Sequence, residues 1–328
     1  MSYRDDEKHR YQWNKRKLFS AEACRPGPYQ GILREFCIAA GSEHENLLPA
    51  VREPAIAYFK ARDIRWHDGV RGGPGGHLCC SQSSLVNALF AFGTAPDRLR
   101  AALRSLGWPV AEVLDLPLDA VDGSPASALA FEWIGAKNYL GERTFGRVAA
   151  DDARTRGEGF TSADFALRFR RDDGAIEVVL GEWKYTENYA IGADKRWSGR
   201  NTDRLPIYAP HLTDSQLRLG ELGLDALMFD PFDQLMRLQL LASAMERARE
   251  MDADVVSVLH VAPRANVDFT PRITAPALTG RGDTVHAAWA TVVQEGRFRG
   301  LATEELVPAL RAQGDAGWAE GMLGRYGW

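Results

Sequence analysis

The most informative segment of the chain for its architecture is IEVVLGEWKYTENY, residues 176–189. Its first half is apolar and rich in β-branched residues, which predicts a buried β-strand. Glu182 and Lys184 stand two residues apart at the apolar end of this strand, so they share one face of the sheet. Isolated buried charges are costly, and a charged pair at this place indicates a partner such as a metal ion or a substrate.

The residues before this stretch predict a β-hairpin. ADFALRFRR, residues 163–171, alternates with the period of two that is typical of a half-buried strand. Asp173-Gly174 between the two strands is a strong hairpin signal. The strands are then antiparallel neighbours, and the start of the first lies beside the end of the second. We therefore expect Asp164, Glu182 and Lys184 to meet at one sheet edge.

The segments around the hairpin extend this pattern to a helix, three strands, a helix and a strand. SQSSLVNALFAFG, residues 81–93, predicts a short helix with Ser81 as its cap, and ALAFEWIGA, residues 128–136, a strand with Glu132 in its middle. Residues 230–251 predict a long amphipathic helix with Asp230 as cap and Pro231 in the first turn. DVVSVLHVAP, residues 254–263, predicts an interior strand. The fold class is thus mixed α/β (α+β) with an αβββαβ core.

The flanking regions predict helices. We divide the chain into a helical N-terminal region (residues 1–80), the core (81–265) and a helical C-terminal extension packed on it (266–328). Residues 1–20 indicate a surface arm or a docked helix. ILREFCIAAG and AIAYFKARDI each have helical spacing, and the C-terminal extension contains two or three helical patterns.

The composition describes an ordinary globular protein. The chain has 328 residues, of which 45% are hydrophobic and 26% charged, with a net charge of -4, so there is no global basic field of the kind that marks many nucleic-acid binders. The four cysteines lack zinc-ribbon spacing and fit reduced thiols in a cytoplasm. No segment approaches the ~18 apolar residues of a membrane span, so we expect a cytoplasmic protein without a membrane partner.

The predicted meeting of charges has a specific chemistry. Two carboxylates at one place repel each other and bind a hard divalent cation well, with water and phosphate oxygens as the remaining ligands of Mg²⁺. Lys184 can then orient an attacking water and offset charge that develops on a phosphate. This is the chemistry of phosphodiester cleavage.

The segments SADFAL and GEWKYTE resemble the paired motif of the PD-(D/E)XK nuclease superfamily, which has the restriction-endonuclease-like fold. IRWHDG, SQSSLVNALF, FEWIG and the late RYGW extend the resemblance to a bacterial restriction-endonuclease-like group over residues 64–328. The sequence departs from the motif at Ala163, where the superfamily has proline. The resemblance implies Mg²⁺-dependent DNA cleavage, with Mn²⁺ as a substitute, in defence or repair. It assigns Asp164 and Glu182 as metal ligands, Lys184 as the catalytic lysine and the Trp183 carbonyl as a further ligand.

Several other residues are candidates for the same site. Glu132 is either a third acidic ligand or a solvated strand residue, and Glu187 is either a neighbour of Lys184 or a loop charge. The candidates for nucleic-acid contact are the helix residues Ser81, Gln82, Arg237 and Gln239 and the loop residues Lys195, Arg196 and Arg200 beside Trp197. The basic residues of NKRK, residues 14–17, are further candidates for clamping the DNA backbone.

Other functions remain open at this stage. A non-cleaving nucleic-acid-binding or accessory module with the same fold would need a partner protein for targeting. An unrelated metal-dependent phosphoesterase is also compatible with the spacing. The resemblance further implies a homodimer, because many nucleases of this fold pair to cut both strands. A zinc site at His67, His77, Cys79 and Cys80 is disfavoured, since their spacing matches no standard finger.

Overall fold

A computed structural model describes residues 1–144, 147–151, 154–157, 159–198 and 202–328. Its helices are α1 (Tyr3–Leu18), α2 (Arg52–Ala61), α3 (Ser81–Leu89), α4 (Pro96–Ser105), α5 (Leu205–Tyr208), α6 (Phe232–Ala248), α7 (Val285–Ala290), α8 (Thr303–Arg311) and α9 (Ala316–Tyr326). The strands are β1 (Gly27–Tyr29), β2 (Ile32–Arg34), β3 (Val110–Leu114), β4 (Leu129–Trp133), β5 (Arg143–Thr144), β6 (Arg147–Val148), β7 (Ala163–Arg171), β8 (Ile176–Trp183), β9 (Trp197–Ser198), β10 (Thr202–Asp203), β11 (Val255–Ala262) and β12 (Phe298–Ala302).

Six strands within the described residues form the central sheet. Strands β12, β11, β8 and β7 lie side by side in this order. The other edge of β7 pairs with two strands: β4 pairs near the start of β7, and β3 pairs near its end. The hairpin partners β7 and β8 are antiparallel, whereas β11 is parallel to both β8 and β12. The sheet is therefore mixed, and the predicted α/β class and the predicted αβββαβ order are confirmed.

Helices cover both faces of the sheet. Val179 and Trp183 of β8 pack into one hydrophobic cluster with α3, whereas Val178 and Leu180 pack into a second cluster with α6. This alternation follows from the period of two along a strand. The first cluster also contains residues from α1 and from α8 and α9, so the three predicted regions share one core.

The structure corrects several local predictions. ILREFCIAAG does not form a helix, because residues 32–34 pair with β1 as strand β2. The C-terminal extension contains its three helices but also strand β12, which joins the sheet. Ser81 lies inside the first turn of α3 and does not cap it. Asp230 does not cap α6 either, because its carboxylate instead contacts Lys195 and Gln234.

The N-terminal residues form a docked helix. Glu7, Tyr11 and Lys15 occur at a spacing of four and form the buried face of α1. The hydroxyl groups of Tyr11 and Tyr185 lie 3.1 Å apart, which ties α1 to the EWKYTE segment. No helix of the described residues is long and apolar enough to cross a bilayer.

Candidate functional site

Asp164 and Glu182 lie level with each other on neighbouring strands. The register of β7 and β8 pairs Phe165 with Gly181, which puts Asp164 beside Glu182 one step further along. Leu180 packs on the side of α6, and Glu182, two residues later, faces the same side. The predicted convergence of these two carboxylates is thus present in the structure.

Glu132 extends this row to a third strand. The register that pairs Phe131 with Phe165 puts Glu132 level with Asp164. Glu132 has a φ of 51°, a left-handed conformation that is rare for a non-glycine residue and that the surrounding structure has to impose. Strained residues of this kind cluster at functional sites. The Glu132 side chain lines the site and is not a solvated strand residue, whereas its role as a third acidic ligand stays a prediction.

Gly181 explains how the row is packed. A Cβ atom at this position would lie 2.0 Å from Cε1 of Phe165, the residue directly opposite it on β7. Only glycine therefore lets the Phe165 ring lie across β8 immediately before Glu182.

Each carboxylate of the row has hydrogen-bond donors. The Trp183 backbone N–H donates to Oδ2 of Asp164 at 2.6 Å. Gln82 Nε2 and Ser162 Oγ donate to the two oxygens of Glu132 at 2.6 Å and 2.8 Å. Gln82, a predicted contact residue, is thereby part of the site.

Lys184 supplies the cation of the site. Its Nζ lies 2.6 Å from Oε1 of Glu182, and the two side chains are only 8% and 9% exposed. Burial alone would lower the pKa of Lys184, but the Glu182 carboxylate and other anionic groups nearby raise it well above its usual value. Lys184 is therefore protonated in this arrangement.

The carboxylates affect one another. Burial, followed by the charges of Glu182 and Glu132, raises the pKa of Asp164 well above its usual range. Burial also raises the pKa of Glu132, although hydrogen bonds from Ser162 and Gln82 oppose this shift. Because burial and mutual repulsion make it costly to ionise these carboxylates together, the site tends to bind a cation or protons.

Helix α6 contributes Gln234 and Arg237 to the site. Gln234 Oε1 accepts a hydrogen bond from Lys184 Nζ at 2.5 Å, while its Nε2 donates to Asp230 and Tyr189. The predictions missed Gln234. Its signal is the spacing of Asp230, Gln234 and Arg237, which places polar residues on one side of an otherwise apolar helix.

His260 continues the row on the next strand and was also missed. It pairs with Glu182 in the register of β11 and β8, and its Nδ1 lies 2.7 Å from Nε2 of His286. Burial, with the charges of His286 and Lys184, lowers the pKa of His260 well below 6.5. The neutral imidazole of His260 on β11 therefore lies beside Glu182 on β8.

The row opens into a cavity of about 220 Å³. Arg237 also lines it and donates hydrogen bonds to Asp233 and to the Thr161 hydroxyl, each at 3.2 Å. The described residues that line it are Glu132, Gly157, Gly159, Phe160, Thr161, Ser162, Asp164, Glu182, Gln234 and Arg237. Carboxylates and a guanidinium in one cavity suit a ligand that combines a cation with an anionic group.

The residues present fit a hydrated Mg²⁺ ion better than a fully enclosed metal. No three His, Cys, Asp or Glu side chains of the described residues are arranged to enclose an ion. Mg²⁺ retains several waters, however, and one or two carboxylates are enough to bind it. Oδ1 of Asp164 and Oε2 of Glu182 accept no hydrogen bond from the described part of the chain.

Other predicted contact residues lie elsewhere or are already paired. Gln239 is fully buried and bonds to Gln216, so no surface of it faces a ligand. Ser81 neither lines the cavity nor bonds to the carboxylates. Lys195 pairs with Asp230 at 2.8 Å and Arg196 with Asp203 at 2.6 Å. Arg200 lies outside the described residues.

The NKRK prediction is wrong for one of its residues. Lys15 is 3% exposed, and its Nζ donates to the carbonyl oxygens of Arg25 and Cys37. It holds α1 against the following segment and cannot reach a DNA backbone. Arg16 and Lys17 are exposed.

Comparison with protein families gives one match. A family model described as "Restriction Endonuclease associating with ARP" matches residues 7–327. The searches of curated proteins and of solved structures found no match. Because the family match covers nearly the whole chain, the protein belongs to the family of restriction endonucleases described as associating with ARP.

Proposed function

We propose that the protein is a Mg²⁺-dependent endonuclease of the PD-(D/E)XK superfamily that hydrolyses phosphodiester bonds of DNA in bacterial defence or repair. The observation that carries the proposal is the level row of Glu132, Asp164 and Glu182 across three strands, with Lys184 at 2.6 Å from Glu182. Membership of a restriction endonuclease family supports it.

Asp164 and Glu182 are the proposed direct Mg²⁺ ligands, with the Trp183 carbonyl as a further ligand and Mn²⁺ as a substitute. Glu132, whose two oxygens accept from Gln82 and Ser162, would reach the ion through its bound water. When bound, the ion acts as a Lewis acid toward the phosphate and lowers the pKa of bound water. The raised pKa values of Asp164 and Glu132 support this assignment, since a cation would relieve the repulsion between the carboxylates.

Lys184 and Arg237 have separate proposed roles. The ammonium of Lys184, held by Gln234 at 2.5 Å, would orient the attacking water and offset negative charge in the transition state. Arg237 lines the same cavity and would bind an oxygen of the phosphate. Lys184 is buried and Arg237 is half-buried, which strengthens their interaction with an anionic substrate.

A second candidate is an accessory module that binds DNA without cutting it. Two observations favour it: Lys184 already neutralises Glu182, and the described residues hold no ready-made metal cage. The family description also names an associating protein, ARP, which we propose as a targeting partner of this chain. In this case the isolated protein binds neither Mg²⁺ nor Mn²⁺, which calorimetry would show.

A cleavage assay tests the proposal. The purified protein is incubated with supercoiled, linear, single-stranded and modified DNA over a titration of Mg²⁺ and Mn²⁺. We expect metal-dependent cutting that is lost in Asp164→Asn and in Lys184→Ala. Asp214→Asn, which changes an exposed carboxylate outside the cavity, is the matched control. Metal-dependent cutting that persists in both site variants would show that these residues are not the catalytic ones.

A further inference from the structure

We propose that a groove beside the cavity binds the DNA strand next to the scissile phosphate. This α2 groove lies between helix α2 and residues 63–73. The side chains that matter here are Phe59, Lys60, Asp63, Arg65, Trp66 and Arg71. The inference rests on the proposed function, because it assigns the substrate of the same site.

The α2 groove has a volume of about 630 Å³. This is within the range of about 300–1,000 Å³ that is typical of sites for small ligands, so it can hold a nucleotide unit of a strand.

The charges of the α2 groove match a phosphate backbone. Lys60, Arg65 and Arg71 line it, and Asp63 is the one acidic residue of its described lining. Lys60 and Arg71 are exposed and form no ion pair with a described residue. In this they differ from Lys195 and Arg196, whose charges are already paired. Cations without an internal partner are the ones that gain most from phosphate contact.

The floor and rim of the α2 groove are firmly shaped. The rings of Phe59 and Trp66 stack with their centroids 3.9 Å apart and form an apolar floor. Within residues 63–73, which border the groove, Asp63, Asp68 and Arg71 all have a positive φ of 50–54°. A positive φ is strained for a non-glycine residue, and such strain persists only where the surrounding structure imposes it. Three such residues in one short segment therefore indicate that the shape of this loop is fixed by its surroundings.

The α2 groove adjoins the cavity of the carboxylates. Gln82 Nε2 donates both to Glu132 in the cavity and to the Arg65 carbonyl in the groove, and its Oε1 accepts from the His67 backbone N–H. A Cβ atom on Gly157, which lines the cavity, would lie 2.8 Å from the Arg65 carbonyl oxygen. Groove and cavity thus share a wall, so a strand bound at the carboxylates would lie next to the groove.

A binding experiment without cleavage tests this inference. Fluorescence anisotropy measures the affinity of a labelled single-stranded oligonucleotide, and of its duplex, for the Asp164→Asn protein in the absence of divalent metal. The test variant adds Lys60→Gln and Arg71→Gln. The control removes the same number of charges through Arg104→Gln and Arg170→Gln, two cations that are 51% and 45% exposed near the hairpin end of β7 and pair with Asp172 and Glu112. That end is about 20 Å from Asp164 at ~3.3 Å per residue.

We expect the groove variant to bind about tenfold more weakly and the slope of log K against log salt to fall by about 1.4, which is ~0.7 for each phosphate contact to a single strand. The control should retain its affinity and slope. Equal losses in both variants, an unchanged groove variant, or no binding by the parent protein would overturn the inference.

The outcomes also separate this inference from the proposed function. A parent chain that binds DNA through Lys60 and Arg71 but never cuts it would refute the nuclease and support the groove. A nuclease whose cutting rate and DNA affinity are unchanged in the groove variant would refute the groove alone. Because both side chains are exposed and unpaired within the described residues, their replacement should leave the protein folded.

Discussion

The ammonium nitrogen of Lys184 lies 2.6 Å from Oε1 of Glu182, and both side chains are more than nine-tenths buried. Removing one partner of a buried ion pair costs about 3–5 kcal/mol, because an uncompensated charge is left behind. We expect this cost for Lys184→Met, which leaves Glu182 beside the carboxylates of Asp164 and Glu132. Urea unfolding of the metal-free protein measures it.

The double variant Lys184→Met/Glu182→Gln provides the control for this first prediction. It removes both charges, so most of the lost stability should return, although DNA cutting should not. A double variant that is as unstable as the sum of the two single ones would contradict a direct interaction between the two side chains.

Gln234 should matter for cutting more than for stability. It accepts a hydrogen bond from Lys184 at 2.5 Å and so positions the ammonium. Loss of such a supporting partner typically costs about 10–100-fold in activity. We expect Gln234→Ala to reduce the cutting rate by this factor, and Gln234→Glu, which keeps an oxygen facing Lys184, to retain more of it. Gln12→Ala on the exposed side of α1 is the control, and an equal effect there would refute the assignment.

The hairpin and its acidic residues were predictable because their determinants are local. The alternation in β7, the Asp173-Gly174 turn and the position of Glu182 relative to the turn together set the register. Strands β3 and β12 were missed because they are short and their pairing partners are distant in the chain. Local pattern alone does not determine such strands.

The polar residues of α6 show a second limit of prediction from sequence. Gln239 and Arg237 were predicted together, but a helix turns about 100° per residue, so the two point in nearly opposite directions. Gln234 and Arg237 lie about 60° apart and share the side that faces the cavity. The apolar pattern of α6 does not reveal which side faces the sheet edge, because almost the whole helix is buried.

Gly181→Ala should destabilise the protein. The added Cβ would lie 2.0 Å from the Phe165 ring, so ring or strand has to shift, and such overpacking costs about 1–3 kcal/mol. Because Phe165 is next to Asp164, the cutting rate should fall as well. Gly317→Ala in α9 is the control: no atom lies within 4 Å of its new Cβ, and alanine favours a helix by up to about 1 kcal/mol. Urea unfolding that shows no loss for Gly181→Ala would contradict the packing argument.

Acid should destabilise the protein through His77. Burial, together with the charges of Arg4 and Lys8, lowers the pKa of His77 to about 4, against 6.5 in the unfolded chain. The unfolded state therefore binds more protons between these values, and the stability falls as the pH drops from 6.5 toward 4. At pH 5 the unfolding free energy should be lower by about 2 kcal/mol than at pH 7.5.

His77→Asn keeps an acceptor for the Cys79 N–H and cannot titrate, so the fall in its unfolding free energy between these pH values should be smaller by this amount. His9→Asn, at an exposed position, should follow the parent curve, and a His77→Asn curve parallel to the parent would show that this imidazole is not held neutral by the fold.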